Sequence, residues 1–213
     1  MKKAGEDMKK LDRSFYERDT LIVARELLGK YIVHKIDGKE IIGRIVEAEA
    51  YKGAMDKAAH SYQNRRTNRT EVMFGPPGYA YVFLIYGMYP CMNIVTEEEG
   101  NPCAVLLRSI EPIKGLEDMA KRRFNKTYDE LSKAQRINIS NGPGKLCMAM
   151  DITLKDYGVD LCGNELFICD GEKKEVFEIV EAKRVNIDYA EEAADYLWRF
   201  YIKDNPYVSV KKR

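Results

Sequence analysis

The most restrictive feature of the sequence is a stretch without any charged residue, which runs from Phe74 to Thr96. It is as long as the roughly 20 apolar residues that a transmembrane helix needs. Three prolines and three glycines interrupt it, however, and large apolar residues recur in it at every second position, the pattern of a β-strand. The stretch therefore predicts a β-hairpin that turns at Gly87-Met88, and no membrane association. The alternating residues are Tyr79, Tyr81, Phe83 and Ile85.

Composition limits the kind of protein that contains this hairpin. The chain has 213 residues, 45% of them hydrophobic, which is enough to bury a core in one large or two small domains. Lys and Arg number 35 against 34 Asp and Glu, which excludes a uniformly cationic coat but allows one local basic face. Five cysteines without a CxxC pair, two histidines and no apolar signal sequence predict reduced thiols, no metal and a cytoplasmic location.

Helical and strand periodicities alternate along the chain without an internal repeat or a linker. They predict one α+β domain over residues 1–213, with a mostly antiparallel sheet, flanking helices and a flexible N-terminus at residues 1–13. Asp37-Gly38 and Asp170-Gly171 predict further turns between strands. The predicted helices are 21–28, 116–124, 129–136, 145–150 and 190–197. The predicted strands are 31–36, 40–51, 79–86, 89–96, 104–109, 166–169, 176–185 and 199–203.

Two carboxylates lie close together on the predicted strand 40–51. Because alternate residues of a strand share a face, Glu47, Glu49 and Tyr51 are expected on one side. The same alternation adds Ile45 to that side and places the small apolar residues between them on the other. Two carboxylates beside an aromatic ring suggest a general base, or the acid pair of a glycosidase. A solvated strand face has the same spacing, so both interpretations stay open at this point.

The tip of the predicted hairpin carries Tyr86, Met88 and Tyr89, where turns usually carry Asn, Asp, Gly or Ser. Large apolar side chains at an exposed turn need a reason, because they lower solubility. Either the tip packs under another element, or it is a wedge that unstacks and bends a nucleic-acid duplex. An enzyme that holds a base out of the stack needs such a wedge beside a pocket.

Basic residues offer candidate contacts for phosphate. Arg65, Arg66 and Arg69 lie in a polar segment between the carboxylates and the hairpin, where they either bind phosphates or face solvent. Lys145 follows Gly142-Pro143-Gly144 at a predicted helix start, which is either an anion site or an ordinary helix N-terminus. The other candidates, each as compatible with a structural role as with a functional one, are His60, Asn93 and Arg108.

Seven sequence blocks, taken in order, resemble the alkyladenine (3-methyladenine) DNA glycosylase family. They extend from about Leu21 to Ser209, nearly the whole chain, and their order is far more specific than any single block. The resemblance implies a monofunctional DNA glycosylase that needs no metal or organic cofactor. It also implies a curved antiparallel sheet with a protruding hairpin, similar to the C-terminal domain of formyltransferases. The blocks are 21–29 (LIVARELLG), 43–51 (GRIVEAEAY), 56–61 (DKAAHS), 81–93 (YVFLIYGMYPCMN), 104–112 (AVLLRSIEP), 141–147 (NGPGKLC) and 205–209 (NPYVS).

The resemblance also assigns roles to residues. Glu49 is expected to be the general base, which deprotonates a water that is also held by Arg108 and by backbone near Ile187. Tyr86 is expected to fill the gap that a flipped nucleotide leaves in the duplex. The residues expected around the flipped base are Tyr51, His60, Phe83 and Asn93, the last of which would collide with a guanine amino group. The residues expected to widen the minor groove or to contact phosphate are Met88, Tyr89 and Lys145.

The implied substrate is duplex DNA with an alkylated or deaminated purine, and the chain is expected to act as a monomer, near the nucleoid in a prokaryote or in the nucleus of a eukaryote. 3-Methyladenine and 7-methylguanine already carry positive charge, so one carboxylate suffices to release them. Phe83 stands where many relatives carry Tyr, and Pro90 follows Tyr89, so activity on neutral lesions such as hypoxanthine stays open. Two alternatives also stay open: a non-catalytic nucleic-acid-binding module of similar fold, and an O-glycosidase that uses Glu47 and Glu49.

Overall fold

The sheet is built around its longest strand, β2, in a computed structural model that describes residues 9–171 and 176–211. One edge of β2 pairs with β5, and the other pairs first with β1 and then with β8. All strand pairings are antiparallel and the sheet is curved, which confirms the predicted α+β class. The full order is β3-β4-β5-β2-β1-β6, with β7 paired to β8. The strands are β1 (Tyr31–Ile36), β2 (Lys39–Tyr51), β3 (Ala80–Ile85), β4 (Tyr89–Thr96), β5 (Cys103–Lys114), β6 (Leu166–Cys169), β7 (Ile179–Ala182) and β8 (Arg199–Ile202).

Two compensating β-bulges in β2 and β5 decide which side chains face the core. The register shifts on both sides of Glu47, so that Val46 is an extra residue on β2 and Arg108 is an extra residue on β5. As a result, Ile45 and Val46 both lie in the core, whereas Arg108 and Ser109 both contact Glu47 on the opposite face. The prediction that Ile45 lies on the same face as Glu47 is therefore wrong. Strict alternation assumes that no residue is inserted into either strand.

Helices cover the apolar face of the sheet. Helix α2 (Thr20–Glu26) packs against β2 and begins where the Asp19 carboxylate accepts hydrogen bonds from backbone N–H groups of the first turn. Helix α5 (Pro143–Met150) packs against β4 and β5 and begins at a proline after Gly142, two residues before the predicted start, because proline is well suited to the first helical position. The core lies between these helices and the sheet. The remaining α-helices in the described residues are α1 (Arg13–Tyr16), α3 (Leu116–Phe124) and α4 (Lys133–Ile137).

The uncharged stretch contains the predicted hairpin, formed by β3 and β4. Its central turn residues are Tyr86 and Gly87, one position earlier than the predicted Gly87-Met88, because Tyr86 leaves the strand with a positive φ. At its tip, Tyr86 and Gly87 have positive φ angles of 53° and 70°, and the Met88 N–H donates to the Ile85 carbonyl at 3.2 Å. Positive φ at both central residues is the geometry of a type I′ turn, which matches the twist of the two strands. No helix in residues 9–171 and 176–211 is long and apolar enough to span a bilayer.

Several predicted elements differ from the structure. The predicted helix 190–197 is a 3₁₀ segment, Asp188–Asp195, because the backbone of Glu191 has a φ of 50° and interrupts helical geometry. The predicted strand 176–185 shrinks to β7, which pairs with β8 and not with β6 around the Asp170-Gly171 turn. The predicted helix 129–136 begins only at Lys133, because Ser132 caps it.

The predicted flexible N-terminus falls partly outside the described residues, which begin at Lys9. From there the chain packs on the fold: Lys10 pairs with Cys169, Leu11 is buried and Arg13 begins α1. At the other end, residues 212 and 213 of the basic tail also lie outside the described residues.

Candidate active site

The fold aligns one residue from each of five neighbouring strands on the sheet face opposite the main core. Residues that are paired across strands point to the same face, so these side chains form a row. The row brings an aromatic ring, an amide and an acid together from distant parts of the chain. In order across the sheet it consists of Tyr81 (β3), Asn93 (β4), Leu106 (β5), Glu49 (β2) and Arg199 (β8).

A cavity of about 380 Å³ lies over this row. Its volume falls in the range of about 300–1,000 Å³ that is typical of small-molecule sites. Its walls are mostly aromatic and aliphatic, and no group of three or more His, Cys, Asp or Glu side chains suited to a metal occurs in the described parts of the chain. The predicted site residues that line the cavity are Tyr51, His60, Phe83, Tyr86, Asn93, Arg108 and Ile187.

Glu49 is fully buried directly behind the cavity wall and does not itself line the cavity. Its Oε1 accepts a hydrogen bond from the Val185 backbone N–H at 2.8 Å, and its Oε2 accepts one from the Tyr51 hydroxyl at 2.9 Å. Arg108 Nη1 lies 3.2 Å from the same Oε2. All three donors line the cavity. The carboxylate is therefore oriented by groups that a bound ligand would touch.

Glu47, two positions earlier, has a different environment. Its buried carboxylate accepts four hydrogen bonds, from Arg108 Nε, Arg199 Nη1, Ser109 Oγ and the Ser209 backbone N–H. Burial raises the pKa of Glu47, but Arg108 and these hydrogen bonds outweigh burial, so the pKa lies below its ordinary value. A carboxylate has about four acceptor positions. Glu47 is therefore saturated, whereas Glu49, with two hydrogen bonds and one ion-pair contact, keeps one position for a water molecule.

Arg108 joins the two acids. Its Nε donates to Glu47 at 3.0 Å, its Nη1 faces Glu49, and its Nη2 donates to Ser209 Oγ at 3.1 Å. Burial lowers the pKa of Arg108, but the charges of Glu49 and Glu47 raise it more, so the guanidinium stays charged. The residue that the bulge inserts into β5 is thus the one that links the saturated acid to the acid behind the cavity.

One wall of the cavity is a cluster of three rings. Tyr81 and Phe83 stack with their centroids 5.4 Å apart, and His60 meets Phe83 edge-on at 4.6 Å. His60 Nδ1 also shares a hydrogen bond of 2.8 Å with the Tyr81 hydroxyl. Burial, together with Arg69 and Arg65, lowers the pKa of His60 to about 4. The wall is therefore uncharged near pH 7.

The hairpin tip stands at the mouth of the cavity. Tyr86 lines the cavity although 78% of its surface is exposed, and Met88 and Tyr89 beside it are 68% and 45% exposed. Tyr189, which also lines the cavity, is 68% exposed and donates from its hydroxyl to the Ala58 carbonyl at 3.4 Å. Tyr86 and Met88 are thus not covered by another element, and the wedge stays a prediction.

The three arginines of the polar segment differ in their partners. Arg66 forms an ion pair with Glu71 at 2.6 Å. Arg65 and Arg69 form no ion pair with any residue in the described ranges, and they line a second cavity of about 470 Å³. This second cavity shares His60 with the first. Two of the three predicted phosphate contacts are therefore available for a new anionic partner.

Lys145 is held away from both of these cavities. Its ammonium donates to the side-chain oxygens of Asn138 and Asn141, the latter at 3.0 Å. Burial and the nearby Arg123 lower the pKa of Lys145. Pro143, in the same helical turn, lines the first cavity, so the first turn of α5 borders the site while Lys145 holds the loop before it.

Sequence reasoning missed several contributors. The backbone group that donates to Glu49 belongs to Val185, whereas Ile187, the predicted position, lines the cavity. Tyr81 could have been found, because it shares a strand face with Phe83. Arg184 and Asp56, which form a buried ion pair next to the site, are 128 residues apart and leave no local signal.

Sequence comparison finds related proteins that match nearly the whole chain. Residues 14–206 match the model of a family described as methylpurine-DNA glycosylase (MPG). A protein of Alkaliphilus oremlandii is 59% identical over 203 residues, which cover 95% of this chain and 100% of that protein. One of Desulfitobacterium hafniense is 59% identical over 204 residues (96% and 100%), and one of Bacillus cereus is 55% identical over 202 residues (93% and 98%). The names of all three provisionally assign them as 3-methyladenine DNA glycosylases.

Proposed function

The chain belongs to the methylpurine-DNA glycosylase family, and on that premise we propose that it flips 3-methyladenine or 7-methylguanine out of duplex DNA and hydrolyses the bond to deoxyribose. Family membership makes the protein a DNA N-glycosylase, which sets aside the non-catalytic binding module. The observation that carries the proposal is the buried Glu49 carboxylate, which keeps one acceptor position free behind an aromatic cavity.

The cavity suits a flat, cationic base. A purine placed between Tyr51 and the ring cluster would stack on Phe83, and each cation–π contact contributes roughly 0.5–2 kcal/mol. Because the pKa of His60 lies near 4, the imidazole carries no charge that would repel a methylated purine. Asn93 lies in the row beneath the cavity, where a guanine amino group would collide. We therefore expect 3-methyladenine to be preferred over 7-methylguanine.

Glu49 is the proposed general base. Loss of a base from deoxyribose builds positive charge on the sugar, an oxocarbenium-like transition state. A carboxylate next to the sugar stabilises this charge and takes a proton from the attacking water, and such base catalysis typically contributes 10²–10⁴-fold. The water would occupy the fourth acceptor position of Glu49, next to Arg108 and the Val185 backbone. Glu47 has no position left, which argues against the O-glycosidase that would need both acids.

The proposed reaction ends at an abasic site. A methylated base leaves as a neutral molecule, so no strong general acid is required, and His60 is too weakly basic to be protonated near pH 7. No lysine occurs among the described residues that line the cavity, so a Schiff base that would cleave the strand has no nucleophile there. We therefore expect strand breaks only after alkali treatment.

The proposed duplex contact has two parts. Tyr86 would enter the base stack and occupy the space of the flipped nucleotide, while Met88 and Tyr89 press on the minor groove. Arg65 and Arg69 would hold the phosphates beside the second cavity, because no described carboxylate occupies them. This arrangement would place the flipped base over the row that contains Asn93 and Glu49.

The proposal is tested with a duplex that contains a single 7-methylguanine and an excess of enzyme. Wild-type protein should produce alkali-labile sites in the lesion strand, and Glu49→Gln should lower the single-turnover rate by about 100-fold or more. Glu111→Gln is the matched control, because it removes a partly exposed carboxylate from the neighbouring strand β5. It should cleave at the wild-type rate.

Two results would contradict the proposal. A Glu49→Gln variant that excises bases as fast as the wild type would remove Glu49 from its role. Salt-sensitive DNA binding without base release from any lesion would show that the cavity does not perform this chemistry. Glu47→Gln is expected to fail differently, by unfolding at lower temperature, because it leaves two buried arginines short of a partner.

A further inference from the structure

A second buried ion pair lies next to the acid behind the cavity. Arg184 and Asp56 have fully buried side chains, and both nitrogens at the end of the guanidinium donate to the two carboxylate oxygens, Nη2 at 2.8 Å. The same two nitrogens also donate to the carbonyls of Ala50 and Ala193, at 3.0 and 3.1 Å. The pair therefore ties the end of β2 to the segment that follows β7.

Arg184 contacts two of the three groups that orient Glu49. Its guanidinium lies over the Tyr51 ring, 4.7 Å from the centroid, and the Tyr51 hydroxyl donates to Glu49 Oε2. Its chain neighbour Val185 supplies the backbone N–H that donates to Glu49 Oε1. A movement of Arg184 would thus displace a donor on each oxygen of the carboxylate.

Asp56 fixes the loop that follows β2. Its Oδ1 accepts the Ala58 N–H at 3.0 Å and its Oδ2 accepts the Lys52 N–H at 3.1 Å, in addition to the bonds from Arg184. These bonds hold the loop that leads from β2 to Ala58 and His60, both of which line the cavity. The ion pair is therefore shared by three parts of the site: the end of β2, the His60 loop and the Val185 segment.

We propose that Arg184 and Asp56 are positioning residues that set the orientation of the Glu49 carboxylate toward the water it activates. This role rests on the proposed function of Glu49 and does not require either residue to touch DNA. A misplacement of about 1 Å in a catalytic group can cost on the order of 100-fold in rate. Disturbing the pair should therefore slow base release and leave the affinity for DNA nearly unchanged.

The test uses Arg184→Lys, which keeps the charge but loses the two-pronged contact, and Asp56→Asn, which keeps the shape. Single-turnover excision of 7-methylguanine should fall by about 10- to 100-fold in both variants. The dissociation constant for a duplex with a stable abasic-site analogue should change by less than about threefold. Emission of Trp198, the one tryptophan in the chain, should shift in both, because the Arg184 guanidinium lies 5.1 Å from its ring.

A double-mutant cycle separates positioning from a general loss of structure. If Arg184 acts through Glu49, adding Arg184→Lys to Glu49→Gln should slow the reaction by no more than about twofold beyond Glu49→Gln alone. Multiplicative losses would overturn the proposal. Arg13→Lys is the matched control, since it weakens an ion pair with Asp160 at 2.6 Å that does not border the cavity, and it should keep the wild-type excision rate.

If neither ion-pair variant folds, Tyr51→Phe tests the positioning role instead. It removes the hydroxyl through which Arg184 is linked to Glu49 and leaves the ion pair in place, so its rate should fall about tenfold. A wild-type rate in Tyr51→Phe, or in both Arg184→Lys and Asp56→Asn, would overturn the positioning role while Glu49→Gln stayed inactive. If Glu49→Gln itself kept the wild-type rate, the proposed function would fall and this role with it.

Discussion

The hairpin tip is built at a conformational cost, and that cost can be measured. Tyr86 adopts a left-handed backbone with a φ of 53°, a conformation that costs an ordinary residue roughly 1–2 kcal/mol. Asparagine tolerates it far better, and Asn-Gly is the preferred pair for a turn of this type. Tyr86→Asn would create that pair with Gly87. We predict that it stabilises the fold while it impairs recognition of a lesion.

The size of the effect follows from the exposure of the side chain. Tyr86 is 78% exposed, so about a fifth of its surface, roughly 40 Å², is buried on folding. At about 25 cal/mol/Å², its loss costs at most about 1 kcal/mol, and asparagine recovers part of that area. The net gain in unfolding free energy is about 0.5–1 kcal/mol. For a chain of this length, that raises the melting temperature by about 1–4 °C.

A second turn in the same molecule supplies the reverse experiment. Asp37 and Gly38 join β1 to β2 with φ angles of 49° and 74°, and both are exposed. Asp37→Tyr installs at this turn the residue type that the hairpin tip carries at Tyr86. It should lower the unfolding free energy by about 1–2 kcal/mol without any effect on base excision.

The assay combines thermal unfolding with binding to a duplex that holds an abasic-site analogue. Tyr86→Asn should melt higher than the wild type and bind about 5- to 100-fold more weakly, because an aromatic ring stacked on bases is worth about 1–3 kcal/mol. Wild-type affinity in Tyr86→Asn would refute the wedge. A lower melting temperature in Tyr86→Asn would refute the backbone cost.

Two further predictions concern charge. The pKa of His60, lowered by burial and by Arg69 and Arg65 to about 4 from an ordinary 6.5, means that the unfolded chain binds a proton before the folded one as the pH falls. The free energy of unfolding should have its full value above pH 6.5 and fall by about 2–3 kcal/mol toward pH 4. In His60→Gln, chemical denaturation at several pH values should show the pH dependence without this contribution. Arg65→Ala should reduce the slope of log affinity against log salt by about 1, as measured by titrating DNA at several salt concentrations. Arg66→Ala, which removes the ion pair with Glu71 and a contact with the Phe74 ring, should leave the slope unchanged.

Local patterns in the sequence were sufficient to predict the hairpin and its exposed tip. The alternation before Tyr86 predicted β3, and the absence of charge between Phe74 and Thr96 fits strands that are largely buried. The pairing of Asp37 with Gly38 predicted the other turn for the same reason, since turn geometry depends on the residues of the turn itself.

Contacts between distant segments were not predictable in this way. The bulges at Val46 and Arg108 depend on two strands at once, and alternation in one strand does not reveal an extra residue in its partner. The short 3₁₀ segment around Glu191 carries a helical composition, but its backbone is set by the packing of Ala190 and Ala193 under Tyr51. The ion pair of Arg184 with Asp56 also joins two distant segments, so neither local sequence predicts it.

The two acids of β2 show why residue type alone does not single out the proposed base. Glu47 and Glu49 are equally buried and both contact Arg108, so neither burial nor charge separates them. The number of contacts does, because four hydrogen bonds fill the carboxylate of Glu47, whereas two hydrogen bonds and one ion-pair contact leave room on Glu49. The saturated acid holds Arg108 in place, and Arg108 in turn helps to orient the unsaturated one. In this site the structural acid accepts four hydrogen bonds, whereas the proposed base accepts two and forms an ion pair with Arg108.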